Sequence, residues 1–71
     1  MESVIKIVSE YLEVDNVKPE SHLVDDLGAD VFDTIEIIIK VEDKLGVKIP
    51  DEEGKNIKTV QDLINVVQGN Q

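Results

Sequence analysis

Between Glu2 and Val14 the apolar residues Val4, Ile5, Val8, Tyr11 and Leu12 recur at spacings of three and four. That spacing gathers them on one face of a helix. Lys6, Ser9, Glu10 and Glu13 fall on the other side, and Asp15-Asn16 breaks the pattern. Asn16 to Asp30 reads as a long loop punctuated by Pro19 and Gly28. Ser21 is placed to cap a short turn over His22 to Leu27, and Leu23, Val24 and Leu27 are expected to pin the loop to the core. A loop of this length is unusual in so small a chain and is often functional.

The stretch Val31 to Leu45 carries two conflicting patterns. Ile35, Ile37, Ile39 and Val41 alternate like a strand, and isoleucine prefers strands. Ile35, Ile38, Glu42 and Leu45 follow a helical step. Helix is the better reading, because the stretch is long for a strand and both ends carry helix signals. Asp30 is placed as N-cap, Asp33 adds an acid to the first turn, and Gly46 suits a left-handed C-cap. Such a helix is apolar on more than one face. Ile35, Ile38 and Leu45 are assigned to the core, with Phe32, Ile39 and, as an option, Ile37 near the surface. For Phe32, exposure and burial both stay open.

Val47-Lys48-Ile49-Pro50 reads as an extended link, since a residue before proline avoids the helical region. Asp51-Glu52-Glu53 opens a short helix ending near Asn56. Thr59 and Asp62 form a capping-box-like pair ahead of a last helix whose apolar face is Val60, Leu63, Ile64 and Val67. The expected fold is all-α: a four-helix bundle of three main helices and one short one, with a long first loop.

Composition narrows what such a bundle does. At 71 residues the chain reads as one domain, 1–71, whose core is marginal because so short a chain buries only about 60% of its unfolded surface. It has no cysteine, which excludes disulfides and thiolate zinc sites. Seven lysines and no arginine face 16 acids, for a formal charge of -9. Clustered basic residues are missing, so neither nucleic acid nor an anionic membrane is an expected partner. A basic protein surface is the natural complement, although the charge also has the plainer reading of maintaining solubility. Asp25 to Glu53 holds ten acids and three lysines. Self-association at low salt is disfavoured, so a monomer is expected. No apolar run approaches a membrane span, and Met1-Glu2-Ser3 has no basic secretory start; the chain reads as cytoplasmic.

Catalytic chemistry is sparse. His22 sits in the loop with no nearby nucleophile in sequence and reads as a surface residue. The pairs Asp25-Asp26 and Glu52-Glu53 are expected to be solvated, because so small a bundle is expected to offer no substantial cleft. Asp26, Asp30, Asp33, Glu42, Asp43, Asp51, Glu52 and Glu53 are oxygen donors of the kind calcium and magnesium use, but no EF-hand spacing is present and no dedicated metal site is assigned. No enzyme activity is assigned.

The run Asp26-Leu27-Gly28-Ala29-Asp30-Val31-Phe32-Asp33-Thr34-Ile35-Glu36 resembles the Asp-Leu-Gly-Ala-Asp-Ser-Leu-Asp motif of acyl carrier proteins. Ile49-Pro50-Asp51-Glu52-Glu53 and Ile57-Lys58-Thr59-Val60-Gln61 resemble two further stretches of that family, in the same order and at matching spacing, so that the likeness covers about residues 2 to 68. The resemblance implies a bundle that carries acyl chains on a phosphopantetheine arm esterified to serine, with an acidic second helix that docks on basic patches of fatty-acid or polyketide synthesis enzymes. It implies partner contacts at Asp30, Phe32, Asp33, Glu36, Ile39 and Glu42, for which an ordinary solvated face is the plainer reading at Asp33 and Glu36.

Val31 stands where that motif has its serine. The transferase that installs the arm needs an oxygen nucleophile, and valine has none. Thr34, one helical turn on, is a poor substitute, because nucleophile placement is demanding. No phosphopantetheine is therefore expected on this chain, and a phosphopantetheinyl transferase is expected to meet it without productive transfer. Three readings follow. The chain is a carrier made unmodifiable by engineering or divergence; or a carrier-derived structural or regulatory binding module anchored by Val31 and Phe32; or a lipid binder that uses the space between helices without covalent attachment.

Overall fold

A computed structural model describes residues 2–70. It contains helices α1 (Glu2–Leu12), α2 (Val31–Leu45), α3 (Asp51–Gly54) and α4 (Val60–Gly69). Among the described residues no strand forms; a lone antiparallel bridge joins His22 to Thr59. α1 packs on both α2 and α4, and α3 rests on α4. This is the all-α bundle, with three main helices, one short one and a long first loop, expected from the periodicity.

The core is aliphatic. Val4, Ile7 and Val8 of α1 meet Ile37 and Val41 of α2 and Val60, Leu63, Ile64 and Val67 of α4, and the connections add Leu23, Ala29, Val47, Ile49 and Ile57. Ile7 joins this core although the spacing had pointed to Ile5, which is half-buried. α1 has neighbours on two sides, so its buried stripe is wider than one face. α1 stops at Leu12, short of the expected Val14, because Glu13 turns left-handed at φ 56°. The Val14 N–H donates to the Ser9 carbonyl at 3.2 Å, and the Ser9 hydroxyl donates to the Val14 carbonyl at 2.6 Å. Ser9 thus closes the end of a helix on which the pattern had placed it only as a solvent-facing residue.

The first loop is stitched to the start of α4. The N–H groups of Val60 and Gln61 have no partner within their own helix. They donate to the carbonyls of Ser21 at 3.0 Å and Pro19 at 2.7 Å, while the Leu23 N–H donates to the Lys58 carbonyl at 3.0 Å. Leu23 and Ala29 anchor the loop in the core, and Leu27 packs partly against it. Two expectations are corrected here. Val24 is 56% exposed and pins nothing, because the His22–Gly28 turn carries it outward. Ser21 does not cap that turn: its hydroxyl oxygen accepts from the Lys18 N–H, and the Asp26 carboxylate accepts from the His22 N–H at 2.8 Å.

α2 is capped as expected. The Asp30 carboxylate accepts from the Asp33 N–H at 2.8 Å, and the Asp33 carboxylate accepts from the Asp30 N–H at 3.2 Å. Gly46, at φ 66°, closes the other end and donates to the Glu42 carbonyl. The assignment of its isoleucines changes. Ile37 is fully buried beside Val41, Ile35 is 49% exposed, and Ile38 and Leu45 are half-buried. The side of α2 that faces α1 runs through Ile37 and Val41, one turn apart. Ile35 and Ile38 face the side where only the four-residue α3 is available to cover them.

Candidate functional site

The first turn of α2 is where the sequence motifs converge. Asp30 is extended and holds the helix start from outside, so Val31 is the first helical residue. Its side chain is 64% exposed and that of Phe32 is 73% exposed, which settles the Phe32 alternative in favour of exposure. No free hydroxyl stands in this turn, because the Thr34 hydroxyl donates to the Asp30 carbonyl at 3.1 Å. Ser9 and Ser21 are engaged elsewhere, with Val14 and Lys18.

The acids of α2 divide into two groups. Asp30 and Asp33 cap the helix, and their negative charge suits its N-terminal dipole. Asp33 also accepts from the Tyr11 hydroxyl at 3.4 Å, tying α1 to α2. Partial burial raises the Tyr11 pKa, with the charges of Asp33, Glu36 and Asp30 pushing the same way. The Lys40 ammonium lies 5.7 Å from the centre of the Tyr11 ring, within cation–π range. Glu42 is half-buried and accepts from the Ile49 N–H at 2.8 Å, bracing the link after Gly46. Phe32, Glu36 and Ile39 are exposed and lie along one stripe of the helix. The six expected contact residues are thus spread over the cap, this outward stripe and the brace.

A second stripe of α2, through Val31, Ile35, Ile38 and Glu42, forms one wall of a groove of about 950 Å³. The 47–50 link, α3 and Ile57 form the other wall, and the His22–Asp25 turn closes one side. The expectation of no substantial cleft is therefore overturned. The short α3 cannot cover the second apolar face of α2, so the space between them stays open. His22 is exposed at the rim, its Nδ1 3.9 Å from the Asp25 carboxylate. Among the described residues no group of three or more potential metal ligands comes together, and no helix is long and apolar enough to cross a membrane.

The groove residues after Gly46 escaped the sequence reading. Lys48, Lys55 and Lys58 all line it, together with Ile49 and Ile57. The available signal was the gathering of three of the seven lysines between residues 48 and 58.

Comparison with known proteins agrees with this architecture. Residues 2–67 match the family described as "Phosphopantetheine attachment site". The chain is 45% identical to the acyl carrier protein of Helicobacter hepaticus, over 97% of this chain and 93% of that protein. It superposes on a candidate acyl carrier protein of Mycobacterium tuberculosis with a TM-score of 0.91 at 30% identity, covering 96% of this chain and 93% of the other. For the acyl carrier protein of Thermotoga maritima the TM-score is 0.82 at 31% identity, with 97% and 82% covered.

Proposed function

Because the chain belongs to the acyl carrier protein family, a family of carriers rather than catalysts, we propose that it keeps the family's docking surface and has lost the covalent arm. The observation that carries this reading is Val31. It is exposed at the first position of a fully capped helix, and its side chain offers no oxygen for a phosphodiester. The residues present do not fit the phosphopantetheine group, so no acyl thioester is held on this chain. What remains is a monomeric cytoplasmic domain, 1–71, that presents Phe32, Glu36 and Ile39 beside the caps Asp30 and Asp33. Its partners are basic surfaces of fatty-acid or polyketide synthesis enzymes. Long-range attraction brings the acidic helix to such a surface. The exposed Phe32 ring then supplies apolar contact where the arm would otherwise have led, which favours a binding module over a silent relic.

One experiment tests both halves. The native chain and Val31→Ser are incubated with a phosphopantetheinyl transferase and coenzyme A, and intact masses are measured. The native chain is expected to stay unmodified and Val31→Ser to gain one phosphopantetheine. A mass gain in the native chain overturns the missing-arm reading. A Val31→Ser chain that folds and stays unmodified overturns the claim that the docking surface is intact.

A further inference from the structure

Among the described residues, the large apolar side chains that are exposed, Val24, Val31, Phe32, Ile35 and Ile39, share one face of the molecule. Four of them line the groove, and Phe32 stands beside Val31 at its edge. Apolar surface gathered in this way marks a contact site. The charges around it are sorted by sign. Successive helical residues turn by about 100°, so Glu36 and Asp43 follow Phe32 and Ile39 on the flank away from the groove, and both are exposed. Across the groove, on the other flank, Lys48, Lys55 and Lys58 are exposed as well. Among the described residues none of these lysines forms an ion pair. They balance the three acids of the lining, Asp25, Glu42 and Asp51, so the groove is formally neutral in a chain of -9. Two of those acids are already engaged, Glu42 with the Ile49 N–H and Asp25 beside His22. From one flank to the other the face therefore runs acid, apolar, lysine. Rotation about a two-fold axis through its apolar centre lays the acid flank of one copy on the lysine flank of another. Such a patch is self-complementary, as a symmetric dimer requires.

We propose that this face takes a second copy of the chain, in a weak two-fold dimer. The Phe32 ring of each copy lies against Ile35 and Ile39 of the other, and Glu36 and Asp43 of each face Lys48 and Lys55 of the other. A purely basic partner complements the acid flank and leaves the lysines unpaired, whereas a second copy complements both flanks. Five apolar side chains are few beside the roughly 20–30 residues a side of a standard interface, so the contact is weak. The paired charges fix the register of the two copies more than they add affinity. Repulsion between two chains of -9 reaches further than these contacts, so moderate salt strengthens the dimer, the opposite of its effect on a basic partner. The monomer is then the state at low concentration and low salt. Because the dimer hides Phe32 and Glu36, self-association and docking on an enzyme exclude one another. The inference goes beyond the docking reading and does not rest on it.

The test is sedimentation equilibrium on the native chain from about 10 μM to about 1 mM, at 50 and 200 mM salt. The mass is expected to rise from one chain towards two and no further, and to rise more at 200 mM. Phe32→Ser should weaken association at least about fivefold, as loss of a central aromatic anchor does. At 200 mM salt the pair Lys48→Glu, Lys55→Glu and the pair Glu36→Lys, Asp43→Lys should each associate several-fold more weakly than the native chain. An equimolar mixture of the two variants should recover association, because each flank again meets the opposite charge. All five substituted positions are exposed, and circular dichroism checks that each variant keeps its helices. If a variant does not fold, the concentration series on the native chain still decides. A mass of one chain at every concentration overturns the inference. So does growth beyond two copies, unchanged association in Phe32→Ser, or a mixture that associates no better than its parts. A native chain that stays monomeric leaves the docking reading standing, since that reading is decided by the mass gain of Val31→Ser.

Discussion

Asp62 accepts two backbone N–H groups, from Lys58 at 2.9 Å and Thr59 at 3.0 Å, while its own N–H donates to the Thr59 hydroxyl at 3.0 Å. These bonds favour the ionised carboxylate. They hold its pKa below the ordinary value, the two backbone donors contributing most. A depressed folded pKa stabilises the fold above the unfolded value, near 3.9, and that contribution is lost as pH falls through the folded value. Urea unfolding between pH 7 and pH 2 should therefore show a shallower acid limb in Asp62→Asn than in the native chain. The other acids titrate in both proteins, so the comparison isolates this one. Thr59→Ala should cost about 1 kcal/mol at neutral pH, the usual worth of an N-cap. Equal acid limbs, or an unchanged urea midpoint for Thr59→Ala, would contradict this account. Both caps were legible in the sequence, because an N-cap and its reciprocal residue lie three positions apart. The part played by Ser9 was not, because it depends on the left-handed turn at Glu13, a residue type with no special preference for that conformation.

At the scale of elements, α2 shows why the helical step identified the helix and yet misplaced its buried stripe. A helix packed on one side has one buried stripe, and Ile35, Ile38 and Leu45 describe such a stripe well. This helix has two apolar stripes with different surroundings. Ile37 and Val41 meet α1, while Ile35 and Ile39 border the groove. Which stripe is buried depends on how far the helix is turned about its own axis, and its neighbours decide that. Ile37→Ala should cost about 2–5 kcal/mol, as core truncations do. Ile35→Ala should cost about 1 kcal/mol or less, since it is half-exposed and alanine favours the helix. Chemical denaturation of the two variants checks the order; similar losses would place the core on the other stripe. The groove was illegible for a related reason. It exists because α3 has only four residues, and the sequence between Pro50 and Thr59 announces a short helix without showing what that helix leaves uncovered.

Over the whole molecule, the formal charge of -9 is expected to act in opposite directions on folding and on the proposed docking. Self-repulsion opposes the compact state, so added salt should raise the melting temperature; a gain of about 1 kcal/mol reads as roughly 4–8 °C in a chain of this size. The same screening weakens attraction to a basic partner, since charges further apart than about 8–10 Å are largely screened at 0.1–0.15 M salt. Calorimetry and a binding assay on a carrier-dependent synthase, each at 50 and 200 mM salt, should move in opposite directions. Affinity that ignores salt would remove electrostatic steering from the docking reading. The charge was readable from composition, whereas its distribution was not. The neutral groove became visible only once Lys48, Lys55 and Lys58 were brought beside the second face of α2.

The loop carbonyls of Pro19 and Ser21 that receive the first N–H groups of α4 are main-chain atoms, which every amino acid possesses. Substitution in that stretch is therefore cheap wherever the path of the chain is kept. Insertion or deletion is not, because it slides both acceptors out of register with a helix some forty positions further along the chain. Evolution is left free to rewrite the letters around Pro19 and Ser21, though not the buried Leu23 and Ala29 further on, and not free to change the loop's length, so drift at those acceptors should appear as variable composition at constant spacing.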